Sequence, residues 1–161
     1  MNISNLSISI NDDIFDLCRK GNLVKLKIWL ENTENDPNQS DEHLFTPLHY
    51  SAMHGHTDLV DCLISKGAKI PQLNMGDDTC LQTACQFGHI KTVQTILEKF
   101  AHKSHNSSTT GMKNKIDLVN MPNSHGNTPL HYAAFNNNLE LSRILLDNGA
   151  IVNFPNNVKF F

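Results

Sequence analysis

Apolar residues recur along this chain in short clusters separated by polar turns. Leu59, Val60, Leu63 and Ile64 form one cluster, Val93, Ile96 and Leu97 a second, and Leu141, Leu145 and Leu146 a third. Offsets of three and four residues place each cluster on one face of an amphipathic helix. A shorter segment that opens on threonine precedes each cluster. These segments are Thr46-Pro47-Leu48-His49-Tyr50-Ser51-Ala52, Thr79-Cys80-Leu81-Gln82-Thr83-Ala84-Cys85 and Thr128-Pro129-Leu130-His131-Tyr132-Ala133-Ala134. Threonine suits a helix N-cap, where its hydroxyl accepts an orphan backbone N–H. Pro47 and Pro129 then fall at the first helical position, where a missing N–H costs nothing. Gly55, Gly88 and Asn137 stand where a left-handed residue ends the short helix. The pattern predicts a series of helix pairs, and a single pair cannot bury its own apolar face, so the pairs must stack.

Thr46 and Thr79 lie 33 residues apart, and two of the copies close on Gly67-Ala68 and Gly149-Ala150. A 33-residue period carrying Thr-Pro-Leu-His is the signature of an ankyrin repeat. The expected fold is therefore an all-α solenoid of helix-turn-helix pairs joined by β-hairpin loops, with about four repeats and a truncated fifth. An Asn/Ser-rich tail, expected to be disordered, covers residues 1–11. A first, atypical repeat without Thr-Pro-Leu-His covers 12–40, with Asp12 and Asp13 favouring its helix start by charge. Repeat two runs over 41–73, repeat three over 74–122, and repeat four over 123–155, leaving 156–161 as the start of a fifth. Thr79 and Thr128 are 49 residues apart, so repeat three carries 16 extra residues. The polar composition of 101–115 predicts a mobile loop there. The outer face of repeat four lacks a closing helix pair, which suggests a fragment or truncated product of a longer protein.

Composition narrows the function. A formal net charge of −3 gives no basic footprint for nucleic acid. No apolar run is long enough to span a membrane, and the N-terminal stretch lacks a signal peptide's basic region, so a cytoplasmic protein without membrane insertion is expected. Cys18, Cys62, Cys80 and Cys85 have neither disulfide nor zinc spacing, and helical apolar positions make three of them small core residues. His102 and His105 have no second ligand pair, so no metal and no cofactor is expected. The Gly-rich loop, Val-Ala-Ile-Lys, His-Arg-Asp and Asp-Phe-Gly of kinases are all absent, as are Gly-x-Ser-x-Gly and His-Glu-x-x-His. The chain reads as non-catalytic.

Ankyrin stacks present hairpin tips and first helices as a concave binding surface. That geometry places Asp41, Phe45, Tyr50 and Met53 of repeat two on the face. Asn74, Asp77 and Asp78 of repeat three follow, then His125, Asn127, Tyr132, Phe135 and Asn136 of repeat four. The strip is aromatic and acidic, as suits a protein interface. Tyr50 and Tyr132 serve equally well as packing against neighbouring helices, and Asp77-Asp78 as hairpin caps. His49 and His131 are expected to bond hairpin backbone across repeats, with His54, His56 and His89 as turn residues. Leu44 replaces the tip glycine kept as Gly126, which marks that tip as strained or differently shaped.

Four stretches carry a closer likeness: Asp12-Asp13-Ile14-Phe15-Asp16-Leu17-Cys18-Arg19-Lys20-Gly21-Asn22, Trp29 to Asp36, Gly76 to Thr79, and Ser124 to Tyr132. Together they resemble the N-terminal ankyrin domain of the integrin-linked kinase family, over residues 12 to about 156. The resemblance implies a scaffold module of cell-matrix adhesions that binds the first LIM domain of a PINCH-like adaptor through its concave face. It implies that His125, Asp41 and Phe45 match contact positions, whereas Asn136 stands where the family has a tryptophan. The family's second, kinase-like domain, widely regarded as a pseudokinase, binds parvin and the integrin β tail, so those complexes are indirect partners. A general ankyrin adaptor with an unrelated protein partner is the alternative.

Overall fold

A computed structural model describes residues 13–104 and 114–157. The expectations for the 1–11 tail, for His105, for most of the 101–115 segment and for the last residues of the chain fall outside this range. Among the described residues there are nine helices and no strand. They are α1 (Ile14–Lys20), α2 (Leu23–Glu31), α3 (Pro47–Met53), α4 (Thr57–Ser65), α5 (Cys80–Gln86), α6 (Ile90–Ser104), α7 (Lys115–Val119), α8 (Pro129–Phe135) and α9 (Leu139–Asp147).

The short helices begin where the threonines place them. Thr46 and Thr79 are N-caps, each in a capping box with the third helical residue. Asp13 caps α1 through the Phe15 amide. Gly21, Gly55 and Gly88 then take left-handed geometry, and Asn137 does so at φ 52°. Gly55 has a second reason to be glycine, since a Cβ there would come within 2.6 Å of the His89 ring.

Helices α1, α3, α5 and α8 form one layer and α2, α4, α6 and α9 the other, each packed on its successor. The apolar clusters meet between them. Leu59, Val60, Leu63, Ile64, Val93, Ile96, Leu97, Leu141 and Leu145 are all buried. Polar hooks repeat alongside this core. His56 donates its Nε2–H to the Arg19 carbonyl at 3.0 Å, and His89 donates to Met53 at 2.9 Å. In the fourth repeat Asn136 does the same job, donating to the Gln86 carbonyl at 2.7 Å. Each hook satisfies a carbonyl that the end of the preceding short helix leaves unpaired. Cys18, Cys80 and Cys85 are buried and unbridged, and Cys62 is half-buried.

Two expectations change. Leu146 belongs to the third apolar cluster, yet it is 43% exposed. It lines a groove on the outer side of repeat four with Leu130, His131, Ala134, Ile151 and Val152. The loop expected over 101–115 is helical at both described ends, because α6 continues to Ser104 and α7 begins at Lys115. The reason for α7 is local. Asn114 and Asp117 form a capping box, and Leu118 and Val119 drop fully into the core. Asn120 then clasps the turn after α9, donating to the Gly149 carbonyl at 2.9 Å and accepting from the Ile151 amide at 2.7 Å. Asn38 makes the same clasp to Gly67 and Lys69.

Candidate protein-interaction face

Three fingertips are built by one device. Asp41, Asn74 and Asn123 each open a tight turn, and each side-chain Oδ1 accepts two backbone amides, two and four residues on. Asp41 takes His43 and Phe45, both at 2.9 Å. Asn74 takes Gly76 at 2.8 Å and Asp78 at 3.0 Å. Asn123 takes His125 at 3.0 Å and Asn127 at 2.9 Å. This is the Asx-turn preference of Asp and Asn repeated along a solenoid. The residue three positions after the opening Asx is left-handed in every tip: Leu44 and Asp77 at φ 60°, Gly126 at φ 78°. The Leu44 tip is thus strained but not differently shaped, and the neighbouring hydrogen bonds hold a leucine where glycine would sit freely.

The tips are stitched into one row. The Met75 amide donates to the His43 carbonyl at 3.1 Å, the Ser124 amide to Gly76 at 3.1 Å, and the Asn157 amide to His125 at 2.9 Å. Asp41, Asp77 and His125 therefore lie on consecutive tips of a single edge.

The residues expected on the face divide by role. Phe45 and Tyr50 are half-buried, with ring centroids 5.5 Å apart. The Tyr50 hydroxyl donates to Asp41 Oδ2 at 2.6 Å, and the Arg19 guanidinium lies 4.4 Å over its ring. Burial raises the Asp41 carboxyl, but the Tyr50 hydroxyl and the Phe45 and His43 amides outweigh it and hold the pKa below the usual value. Asp77 and His125 are exposed, and Phe135 is 89% exposed. Asn74 is only 6% exposed, and its Oδ1 is spent organising its own turn. Asn127 is half-buried, its carbonyl accepting from Gln82 at 2.9 Å.

Tyr132 and Asp78 combine the packing role with a place beside the face. The Tyr132 hydroxyl donates to Asp78 Oδ1 at 3.1 Å, across the boundary between repeats three and four. Burial pushes the Asp78 carboxyl up, and the hydrogen bonds from Asn123 and Tyr132 offset this only in part. Burial and the Asp78 charge push the Tyr132 phenol up as well. The sequence reading missed Arg19 and Asn123. For Asn123 a signal was present, since an Asx residue opens each tip 33 residues apart where the period is intact. No group of three or more His, Cys, Asp or Glu among the described residues can hold a metal ion.

The family profile described as ankyrin repeats in three copies matches residues 14–107, and a second ankyrin-repeat profile matches 81–146. The chain belongs to the ankyrin-repeat family. Among curated relatives, Scaffold protein ILK of Homo sapiens is 53% identical over 68 residues, which cover 42% of this chain and 15% of that protein. Integrin-linked protein kinase homolog pat-4 of Caenorhabditis elegans is 42% identical over 72 residues, covering 45% of the chain and 16% of the relative. E3 ubiquitin-protein ligase XBAT33 of Arabidopsis thaliana is 30% identical over 103 residues, covering more of the chain, 64%, and 17% of the relative. The chain therefore spans only a small part of the length of each of these relatives.

Proposed function

We propose that this ankyrin stack is a non-catalytic protein-binding module of an integrin-linked-kinase-like scaffold, and that it takes a LIM-domain adaptor of the PINCH kind across its fingertip row. The observation that carries the reading is the single stitched edge holding Asp41, Asp77 and His125, with Phe45 and Tyr50 packed directly behind the first tip. Fixed polar tips backed by rigid aromatic rings suit a protein surface better than a small molecule. The identity to ILK proteins, high over a short stretch, supports the choice of partner. Adhesion sites in the cytoplasm are where such a complex belongs, and integrin and parvin complexes would be reached through a further domain of the scaffold.

A titration of the chain with a PINCH-type LIM tandem, followed by calorimetry, tests this directly. Wild type is expected to bind. His125→Asp is expected to weaken binding about tenfold or more with an unchanged melting temperature, because the side chain is exposed and His125 enters its tip through its own backbone amide and carbonyl. Equal affinity for both proteins would remove His125 from the interface. No binding by wild type favours the second reading, a general ankyrin adaptor with an unrelated partner. The longer but weaker similarity to the plant ligase speaks for that alternative.

A further inference from the structure

The fourth fingertip is held by a different arrangement from the second. In the second, Asp41 supplies one oxygen to two turn amides and the other to the tyrosine of its own repeat. Asn123 stands at the equivalent place in the fourth, and its side chain accepts at one end only. Its Oδ1 is taken by the His125 and Asn127 amides. Its Nδ2 donates to the Tyr132 oxygen at 2.9 Å and to Asp78 Oδ1 at 3.0 Å. The Tyr132 hydroxyl donates to that same carboxylate oxygen at 3.1 Å. The three side chains close a ring whose single formal charge belongs to the preceding repeat. Asn123 is 7% exposed, so water is poorly placed to replace a lost partner. The Ser124 amide and hydroxyl both donate to the Gly76 carbonyl, the latter at 2.9 Å, on the third tip.

We propose that Asp78 is a positioning residue for the binding face. Its carboxylate, acting through Asn123 and Tyr132, sets the pose of the His125 tip on the third repeat, so that the two tips meet a partner as one unit. The logic is a chain of hydrogen bonds with one charge-assisted anchor. Asp78 holds the Asn123 amide end, and the opposite end of that side chain is then aimed at the two amides that define the turn. Removing the carboxylate leaves the Nδ2 of Asn123 and the Tyr132 hydroxyl without their shared acceptor, so the amide rotates more freely and both turn bonds loosen. The proposal rests on the fingertip row being the binding face, but the latch can be read without any partner.

The experiment is amide hydrogen exchange by NMR on the whole chain, followed by calorimetric titration with a PINCH-type LIM tandem, for wild type, Asp78→Ala, Asp78→Asn and Tyr132→Phe. In Asp78→Ala, the His125 and Asn127 amides are expected to exchange about tenfold faster or more, while the amides within α5 and α8 keep their wild-type rates. Affinity for the tandem is expected to fall at least about fivefold. Asp78→Asn retains an acceptor at Oδ1 but not the charge, and is expected to recover both readings in part, lying between Asp78→Ala and wild type. If Asp78→Ala does not fold, Tyr132→Phe carries the test, with a smaller rise at the same two amides. Unchanged exchange at His125 and Asn127 overturns the proposal. So does a rise shared equally by the helices, which would show general loosening. A local rise with no tandem binding by wild type supports the latch and removes the LIM partner, so the two failures are distinguishable.

Discussion

Acid should weaken this stack through one histidine, and a substitution already present in the next repeat should protect it. His49 is buried in the capping box of α3. Its Nδ1 accepts the Thr46 amide at 3.2 Å and lies 2.8 Å from the Thr46 hydroxyl. Its Nε2 lies 3.1 Å from the Asp78 carbonyl, to which it must donate. That pattern requires the neutral ring with its proton on Nε2. A second proton would turn Nδ1 from acceptor into donor, facing another donor. Burial accordingly pushes the pKa down from 6.5 to about 4. The sign follows from linkage: the unfolded chain binds the proton more readily than the folded one. Stability is therefore fully present above about pH 6.5 and is lost as pH falls toward 4. The full difference is on the order of 3 kcal/mol, with about 2 kcal/mol already gone at pH 4.5. Gln82 is the counterpart of His49 in repeat three. Its Oε1 accepts the Thr79 amide at 2.9 Å, its Nε2 donates to the Asn127 carbonyl at 2.9 Å, and it does not titrate. His49→Gln should therefore fold with the same bonds and lose the acid sensitivity of this one site. Urea unfolding followed by circular dichroism from pH 7.5 to 4.5 measures it. Wild type should lose about 2 kcal/mol more than the variant over that range, with other titrating groups cancelling in the difference. Parallel curves would refute the assigned tautomer and its energetic consequence.

The other perturbations act on packing and on turns. Leu63→Ala empties a fully buried position and should lower the unfolding free energy by about 2–5 kcal/mol in urea titration. Leu44→Gly relieves the only left-handed leucine among the described residues, and the tip hydrogen bonds are backbone and Asp41 bonds that glycine preserves. It should leave stability unchanged or raise it by up to about 1 kcal/mol, since the strain removed is partly offset by glycine's unfolded-state entropy. Asn120→Ala breaks the clasp to Gly149 and Ile151 and should cost about 1–2 kcal/mol, visible as a lower melting temperature.

The period, the caps and the core were legible because they depend on residues close in sequence. Threonine, proline and glycine at fixed offsets encode each short helix locally, and apolar spacing encodes the face of each longer one. The fingertip row was legible only in outline. Its stitching runs through backbone carbonyls such as those of His43 and Gly76, which carry no residue-type signal. Arg19 over Tyr50 was hidden for another reason. It comes from the atypical first repeat, where no Thr-Pro-Leu-His marks the register. The turn-opening role of Asn74 was not read from the sequence, because the same side chain that makes a residue look like an interface polar group also makes it the natural opener of an Asx turn. Helix α7 was missed because its three apolar residues, Ile116, Leu118 and Val119, fall within five positions, too short a stretch to show a helical period.

The extra residues of repeat three test how much of a solenoid a local insertion disturbs. Whatever their number, the next fingertip must still find its place on the one before. The sequence restores register in two steps. First, α7 sinks Leu118 and Val119 into the core, at which point Asn120 reaches the turn after α9 as Asn38 reaches the turn after α4. Then Asn123 opens the tip, and Ser124 bonds the Gly76 carbonyl just as Met75 bonds that of His43. In repeat three the clasp position falls to Pro71, which has no side-chain amide. Across the insertion the fingertip edge continues from repeat two to repeat four, because the same backbone bond joins each tip to the one before.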